Sequence, residues 1–150
     1  MKSLSKTMLM LLLILSAATG FSQGTSTPNL KIFENFPDEI ALSATTLRDA
    51  FTSRNGDNIS LQLGNNFNFT GVVLSNEIKY TNLRSIAIKS PSFNDAVFHL
   101  SQITNEDNSI TFVGRIYTNA FDGYEIKKDV AGNYIFRKFE TKKILQDCSQ

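Results

Sequence analysis

The chain has 150 residues, and its 15 basic and 14 acidic residues leave a formal net charge of +1. Such a balanced composition lacks the basic surplus that is typical of proteins binding nucleic acid or an anionic membrane surface. The length accommodates one domain, and the single cysteine, Cys148, excludes an internal disulfide.

The N-terminus carries the pattern of a cleavable secretory signal. Lys2 and Lys6 give a positive start, an uncharged apolar run covers residues 8–18, and small residues follow. The run is shorter than the roughly 20 residues that a membrane-spanning helix needs, and this order of features is typical of secretion signals. We therefore predict a signal peptide at residues 1–22, an exported protein of the periplasm or the extracellular space, and no transmembrane segment after signal removal.

The rest of the chain begins with irregular and helical signals. Residues 23–28 are small and polar and predict a flexible lead-in to a single β-rich domain at residues 29–150. A first strand is predicted at residues 29–33. Ser43 is a favourable N-cap for a short helix, whose apolar residues fall at helical spacing at Leu47, Ala50 and Phe51. A last short helix is predicted at residues 141–147.

From Ile59 onward, apolar and polar residues alternate with a period of two, which predicts half-buried strands. The alternating apolar residues are Ile59, Leu61 and Leu63, then Phe67 and Phe69, then Ile86 and Ile88. Two hairpins follow, one joining residues 96–103 to 109–117 and one joining the segments around Tyr124 and Phe136. Six to eight short strands predict a mainly β fold: an antiparallel sheet closed into a sandwich or barrel, with one or two short helices.

The reactive side chains form no recognisable catalytic or metal-binding motif. His99, the sole histidine, alternates with Phe98 and Leu100, so we expect it on the surface opposite these core residues. No nucleophile or orienting group can be assigned to it. One histidine and one cysteine fall short of the ligands that zinc prefers, and the acidic loops lack calcium-loop spacing. We therefore expect no catalytic residue, metal site or cofactor, and a protein that is not an enzyme.

Three aromatic residues are candidates for ligand contact. Tyr80, Tyr117 and Phe121 fall in or beside predicted loops, where an aromatic side chain is not required by the core. The ligand could be a protein, a glycan or a small molecule. Cys148 is a candidate for an intermolecular disulfide and hence for a homodimer, with a free thiol as the alternative.

Four segments carry a resemblance to known proteins: residues 69–73, 96–101, 110–116 and 132–136. Within residues 67–148 they are similar to a recurring pattern in uncharacterised small exported β-rich proteins of Bacteroidetes-type bacteria. That resemblance implies a compartment and a fold type rather than an activity. A looser likeness links the same strands to the β-rich propeptides of secreted metalloproteases, and it implies a propeptide-like protease inhibitor.

The sequence is therefore compatible with three classes of function. The leading prediction is a non-enzymatic binding or interaction module. The alternatives are a small-molecule carrier with an apolar pocket inside a barrel, and an enzyme that uses carboxylates, tyrosine or lysine alone. The volume of an internal pocket would separate a carrier from a module, and clustered carboxylates with displaced titration would favour the enzyme.

Overall fold

The computed structural model describes residues 30–140, which contain eight strands and two short helices. The strands are β1 (Glu39–Ala41), β2 (Asn58–Gly64), β3 (Phe67–Tyr80), β4 (Leu83–Ser90), β5 (Ala96–Thr104), β6 (Ile110–Tyr117), β7 (Asp122–Lys128) and β8 (Tyr134–Glu140). The helices are α1 (Ala44–Ala50) and a 3-10 helix (Pro91–Phe93). The predicted signal, lead-in and C-terminal helix, as well as Cys148, lie outside the described residues.

The strands form one antiparallel sheet in the order β1-β8-β7-β6-β5-β4-β3-β2, which curls into a half-barrel. Every pair of neighbours in the sheet except β1 and β8 is also consecutive in the sequence. The two sheet edges approach each other at Ile40 and Gly64, where Ile40 leaves no room for a side chain on Gly64. The predicted mainly β, antiparallel fold is therefore confirmed.

Alternation explains which face of each strand is buried. On β5, Ala96, Phe98 and Leu100 are fully buried, whereas His99 between them is exposed, as predicted for residues of opposite parity. Helix α1 also forms where predicted, and the Ser43 side chain accepts a hydrogen bond from the Thr46 backbone N–H. Its buried residues join the strands in one hydrophobic core.

The strand predicted at residues 29–33 is wrong in its described part, because residues 30–33 form no strand. The buried carboxylate of Asp122 accepts hydrogen bonds from the backbone N–H groups of Ile32 and Phe33, at 2.9 and 2.7 Å. These side-chain bonds satisfy donors that a strand ladder would otherwise use. The segment is thereby held against the core, and Phe33 is fully buried.

The strand β3 is longer than its sequence pattern predicts. It has 14 residues and continues to Tyr80, well beyond the alternating positions Phe67 and Phe69. Its register against β4 shifts at Leu74 and again at Lys79, so each of these residues is bulged. The bulges explain why the alternation fades after Val73 although the strand continues.

Candidate functional site

The structure separates the aromatic residues that the sequence singles out. Tyr80 ends β3 and pairs with Leu83, and Tyr117 ends β6 and pairs with Val97. Leu83 pairs in turn with Ile103, so Tyr80 is level with Ile103 of β5, whereas Tyr117 is level with Val97. These two positions lie six residues apart along β5, a distance of about 20 Å. Tyr80 and Tyr117 therefore lie at opposite ends of the sheet.

Phe121 lies in the connection between β6 and β7 and is half-buried. Its backbone N–H donates to the carbonyl oxygen of Leu30 at 3.1 Å. This places it at the same end of the sheet as Tyr117, next to the start of the described chain. Of the three candidates, Tyr117 lines an open groove.

That groove, here called the Tyr117 groove, lies on the outer face of the sheet and has a volume of about 370 Å³. It forms because the β6–β7 ladder contains only the pairs Arg115–Glu125 and Ile116–Tyr124, so the two strands diverge on one side of these pairs. The lining residues are His99, Ser101, Val113, Gly114, Arg115, Tyr117, Glu125, Ile126 and Lys127.

The aromatic ring of Tyr117 is held between two other rings. The ring centroids of His99 and Phe139 lie 6.0 and 6.5 Å from it, both in edge-on arrangements. The Arg115 guanidinium lies 5.9 Å from the Phe139 ring centroid, within cation–π range. Tyr117 nevertheless keeps 47% of its surface exposed and Val113 keeps 45%. The arrangement presents an aromatic and aliphatic surface to solvent while its side chains support one another.

Two cations of the groove share one carboxylate. Arg115 and Lys127 each lie 3.1 Å from an oxygen of Glu125, whose side chain is largely buried. A hydrogen bond with Tyr117, and to a smaller extent the charge of Glu125, raises the pKa of Arg115 above its ordinary value. Because two positive charges face one negative charge, this cluster carries a surplus of one positive charge.

On the core side, the side chain of Tyr134 fills the gap between the diverging strands β6 and β7. Its hydroxyl accepts a hydrogen bond of 3.1 Å from the Phe112 backbone N–H, and the two rings are 5.7 Å apart. The N–H group of β6 therefore has a partner although β7 does not reach it. The groove has a packed floor.

The interior of the half-barrel is filled by aromatic side chains. They contact one another at ring-centroid distances of 5.2–6.4 Å and comprise Phe33, Phe36, Phe51, Phe67, Phe69, Phe93, Phe98, Phe112, Tyr124, Tyr134 and Phe136. Burial raises the pKa of Tyr124, whose hydroxyl donates to the carbonyl oxygen of Pro37. Protein atoms thus occupy the space in which a barrel carrier would hold its ligand.

A second, polar cleft of about 900 Å³ lies between the β3–β4 and β5–β6 turns. Three of its polar residues, Asn105, Asp107 and Ser109, bond to one another within the β5–β6 turn. Asp107 accepts a hydrogen bond from the Ser109 backbone N–H at 2.9 Å, and Asn105 donates to the Ser109 hydroxyl at 2.8 Å. Hydrogen bonds from Ser109 lower the pKa of Asp107. This pattern stabilises a turn.

Between residues 30 and 140, no three or more His, Cys, Asp or Glu side chains are grouped so that they could hold a metal ion. Within the same range, no helix has both the length and the apolar character needed to cross a bilayer. Comparison of the chain with protein-family models, with curated proteins and with solved structures gives no match.

Sequence reasoning identifies Tyr117 but misses the residues that surround it. One available signal is that Val113, Arg115 and Tyr117 alternate along β6 opposite the buried Phe112 and Ile116. That period of two puts an aliphatic, a cationic and an aromatic side chain on one outer face. The contribution of Glu125 depends on its pairing with Arg115 across the sheet, which no local pattern reveals.

Proposed function

We propose that this protein is a non-enzymatic binding module that acts outside the cytoplasm. In this proposal the Tyr117 groove binds a segment of a partner protein that carries a carboxylate beside an apolar side chain. The observation that carries the proposal is the exposure of Tyr117 and Val113 beside two cations that share a single carboxylate. Export rests on the predicted signal peptide at residues 1–22.

The composition of the groove supports a protein partner. Tyrosine and arginine are enriched among the residues that dominate binding energy at protein interfaces. Tyr117 is flanked by two rings and Arg115 is fixed by Glu125, so both side chains lose less conformational freedom on binding than mobile side chains would. A preorganised aromatic and cationic pair is a suitable anchor for a partner.

The charge of the groove supports a carboxylate on the partner. Glu125 is already shared by Arg115 and Lys127, so an incoming carboxylate would balance the remaining positive charge. Hydrogen bonds between a guanidinium and a carboxylate are stronger than those between neutral groups. The exposed side chain of Val113 would then contact the apolar part of the same segment.

The filled interior gives no support to the carrier alternative, because the core is occupied by the aromatic side chains described above. The propeptide-like inhibitor stays a prediction and would be one special case of a protein partner. An enzyme gains no support from the arrangement at His99, whose ring contacts Tyr117 on the exposed outer face.

The test is selection of binders from a displayed library of random twelve-residue peptides against the purified protein. We expect the selected peptides to be enriched in Asp or Glu next to a large apolar residue. Their binding should be lost in Tyr117→Ala and in Arg115→Glu, because these variants remove the aromatic surface and reverse the charge.

Matched controls are Tyr80→Ala, an exposed tyrosine at the other end of the sheet, and Arg48→Glu, an exposed arginine on α1. Both should bind the selected peptides as well as the unmodified protein does. Selected peptides that bind Tyr117→Ala and Arg115→Glu with unchanged affinity would place the interaction elsewhere and contradict the proposal, as would a selection without any enrichment.

A further inference from the structure

The described chain leaves the sheet beside the Tyr117 groove. Arg115, Glu125 and Arg137 lie side by side on neighbouring strands, and β8 ends at Glu140, three residues beyond Arg137. With strands about 4.8 Å apart and a rise of about 3.3 Å per residue, the Cα atom of Glu140 lies about 14 Å from that of Arg115. Residues 141–150, here called the C-terminal segment, therefore continue from a point close to the groove.

The last strand also shares a continuous surface with the groove. The ring of Phe139 lies on the outer face of the sheet and contacts that of Tyr117, with the two centroids 6.5 Å apart. The Arg115 guanidinium lies over the same Phe139 ring. No ridge separates these three side chains, so a chain that turns back at the end of β8 meets the groove at Tyr117 first and at Arg115 next.

The sequence of the C-terminal segment matches what the groove is proposed to bind. It contains Ile144, Leu145 and Asp147, which are two large apolar side chains and a carboxylate close together. Asp147 is the only acidic residue of the sequence outside residues 30–140. Residues 23–29, which precede the described chain, contain neither an acidic residue nor a large apolar one. Charge and hydrophobicity therefore favour the C-terminal segment as the occupant.

The spacing of the side chains fits as well. Leu145 and Asp147 are two residues apart, so in an extended chain they lie on one side about 7 Å from each other, as Tyr117 and Arg115 do on β6. The seven residues that lead from β8 to Asp147 extend up to about 23 Å, which leaves length for a reversal of direction. The helix predicted at residues 141–147 does not oppose an extended segment, because an isolated helix of this length is marginal in water.

We propose that the C-terminal segment of the same chain occupies the Tyr117 groove and competes there with the partner segment. This inference rests on the proposed function and adds a regulation of the same site. Leu145 packs on Tyr117, and Asp147 pairs with Arg115 and balances the surplus positive charge of the groove. Because a short connection gives a tethered segment an effective concentration in the millimolar range, even a weak contact is populated. A partner then binds by displacing the segment.

Two lysines of the C-terminal segment carry the same charge sign as the groove. Lys142 and Lys143 precede Leu145 and therefore lie nearer the end of β8. In an extended chain Lys143 lies about 13 Å from Asp147, which exceeds the Debye length of about 8 Å at physiological ionic strength. Their repulsion from the groove is largely screened at that distance, so the attraction at Asp147 determines the contact.

Cys148 follows Asp147 directly and reports where the segment lies. In Val113→Cys the new thiol lines the groove, and we expect mild oxidation to join it to Cys148 within one molecule. The matched control is Glu39→Cys, because Glu39 is exposed and pairs with Arg137 on the opposite side of β8. Its Cα atom lies about 11 Å from that of Glu140, closer than the groove.

Mass spectrometry of the oxidised monomer measures the loss of both free thiols over time. We expect cross-linking about tenfold faster in Val113→Cys than in Glu39→Cys, because occupancy of the groove raises the local concentration of the Cys148 thiol there. Adding Asp147→Lys to Val113→Cys should reduce its rate to that of the control, since like charges then meet at Arg115. Circular dichroism shows whether each variant is folded. Equal rates in the two single variants would overturn the proposal, and so would disulfides that form only between two molecules.

A second measurement separates this inference from the proposed function. The affinity for the selected acidic peptides should rise about threefold or more in Asp147→Lys, because the competing segment is released. Asp49→Lys, at an exposed aspartate of α1, makes the same charge change and should leave the affinity unchanged. Equal affinity in the wild type and in Asp147→Lys would contradict the inference while leaving the proposed function intact. Preferential cross-linking at Val113→Cys without any selected peptide would support this contact and contradict the proposed partner.

Discussion

The hydroxyl of Tyr134 and the backbone N–H of Phe112 are joined by a hydrogen bond of 3.1 Å, at the place where β6 has lost β7 as its neighbour. One side chain thereby takes the role of a ladder bond. The same contact supports the floor of the Tyr117 groove from inside the protein. A feature of the outer face thus depends on a residue that points towards the core.

The variant Tyr134→Phe tests this bond, because it keeps the ring next to Phe112 and removes only the hydroxyl. The part-buried N–H group loses its acceptor, so we expect the free energy of unfolding to fall by about 1–2 kcal/mol. Urea denaturation measures the change. Tyr80→Phe, at an exposed tyrosine, is the control and should have little effect. Equal stability of the two variants would show that the bond contributes nothing.

Asp122→Ala should release the segment at residues 30–38. Two backbone N–H groups, those of Ile32 and Phe33, lose the carboxylate that accepts their hydrogen bonds. We expect a loss of about 2–4 kcal/mol in the free energy of unfolding and faster proteolysis near Phe33. Asp122→Asn keeps one side-chain carbonyl acceptor, so its free energy of unfolding should lie between those of the wild type and Asp122→Ala. Unchanged proteolysis in Asp122→Ala would mean that other contacts hold the segment.

Ser90→Ala should stabilise the protein. Ser90 is fully buried, and its hydroxyl has no hydrogen-bond partner within residues 30–140. Removing a buried polar group without a partner recovers its desolvation cost, so we expect a gain of about 1 kcal/mol in thermal or urea unfolding. Ser92→Ala, at an exposed neighbour, should change nothing. A loss of stability in Ser90→Ala would contradict the expectation.

Asp129→Asn should alter how stability depends on pH. Hydrogen bonds from Asn133, and to a smaller extent from Ala131, lower the pKa of Asp129 in the β7–β8 turn. A lowered pKa in the folded state stabilises the protein above the unfolded value near about 4, and this stabilisation is lost as pH falls through the lower folded value. The stability difference between wild type and variant should therefore be constant between neutral pH and about 4 and shrink below that.

Urea denaturation at a series of pH values from 7 to 2 measures this difference. Glu106→Gln, at an exposed carboxylate in another turn, serves as the control for removal of one negative charge. A difference between wild type and Asp129→Asn that stays the same from neutral to acid pH would show that the Asp129 carboxylate does not stabilise the turn.

Most strands could be predicted because they follow one another in a meander. Each of β2 to β8 pairs with its sequence neighbour, so alternation and turn residues carry nearly all the information needed. The exceptions lie at the N-terminus. The segment that Asp122 holds resembles a strand locally, and β1 has only three residues, too few for a periodic pattern. Both depend on partners about 90 residues away or more.

The candidate site could be predicted from the sequence only in part, for a related reason. Exposure of Tyr117 follows from its position at a strand end, and the outward direction of Arg115 follows from alternation. The groove itself exists because the β6–β7 ladder stops after two pairs. The length of a ladder is set by packing between several strands, among them the insertion of Tyr134 from β8, and no local window of sequence contains that information.

The pairing of β1 with β8 also bears on the order in which the protein folds. The hairpins from β2 to β8 close short loops, which is fast and loses little chain entropy. Joining Ile40 to Phe136 requires closure of nearly the whole described chain. We therefore expect the seven-stranded meander to assemble first and the N-terminal segment to dock last. An intermediate without that segment would expose part of the aromatic core, and this late step would then govern how long the chain is prone to aggregate.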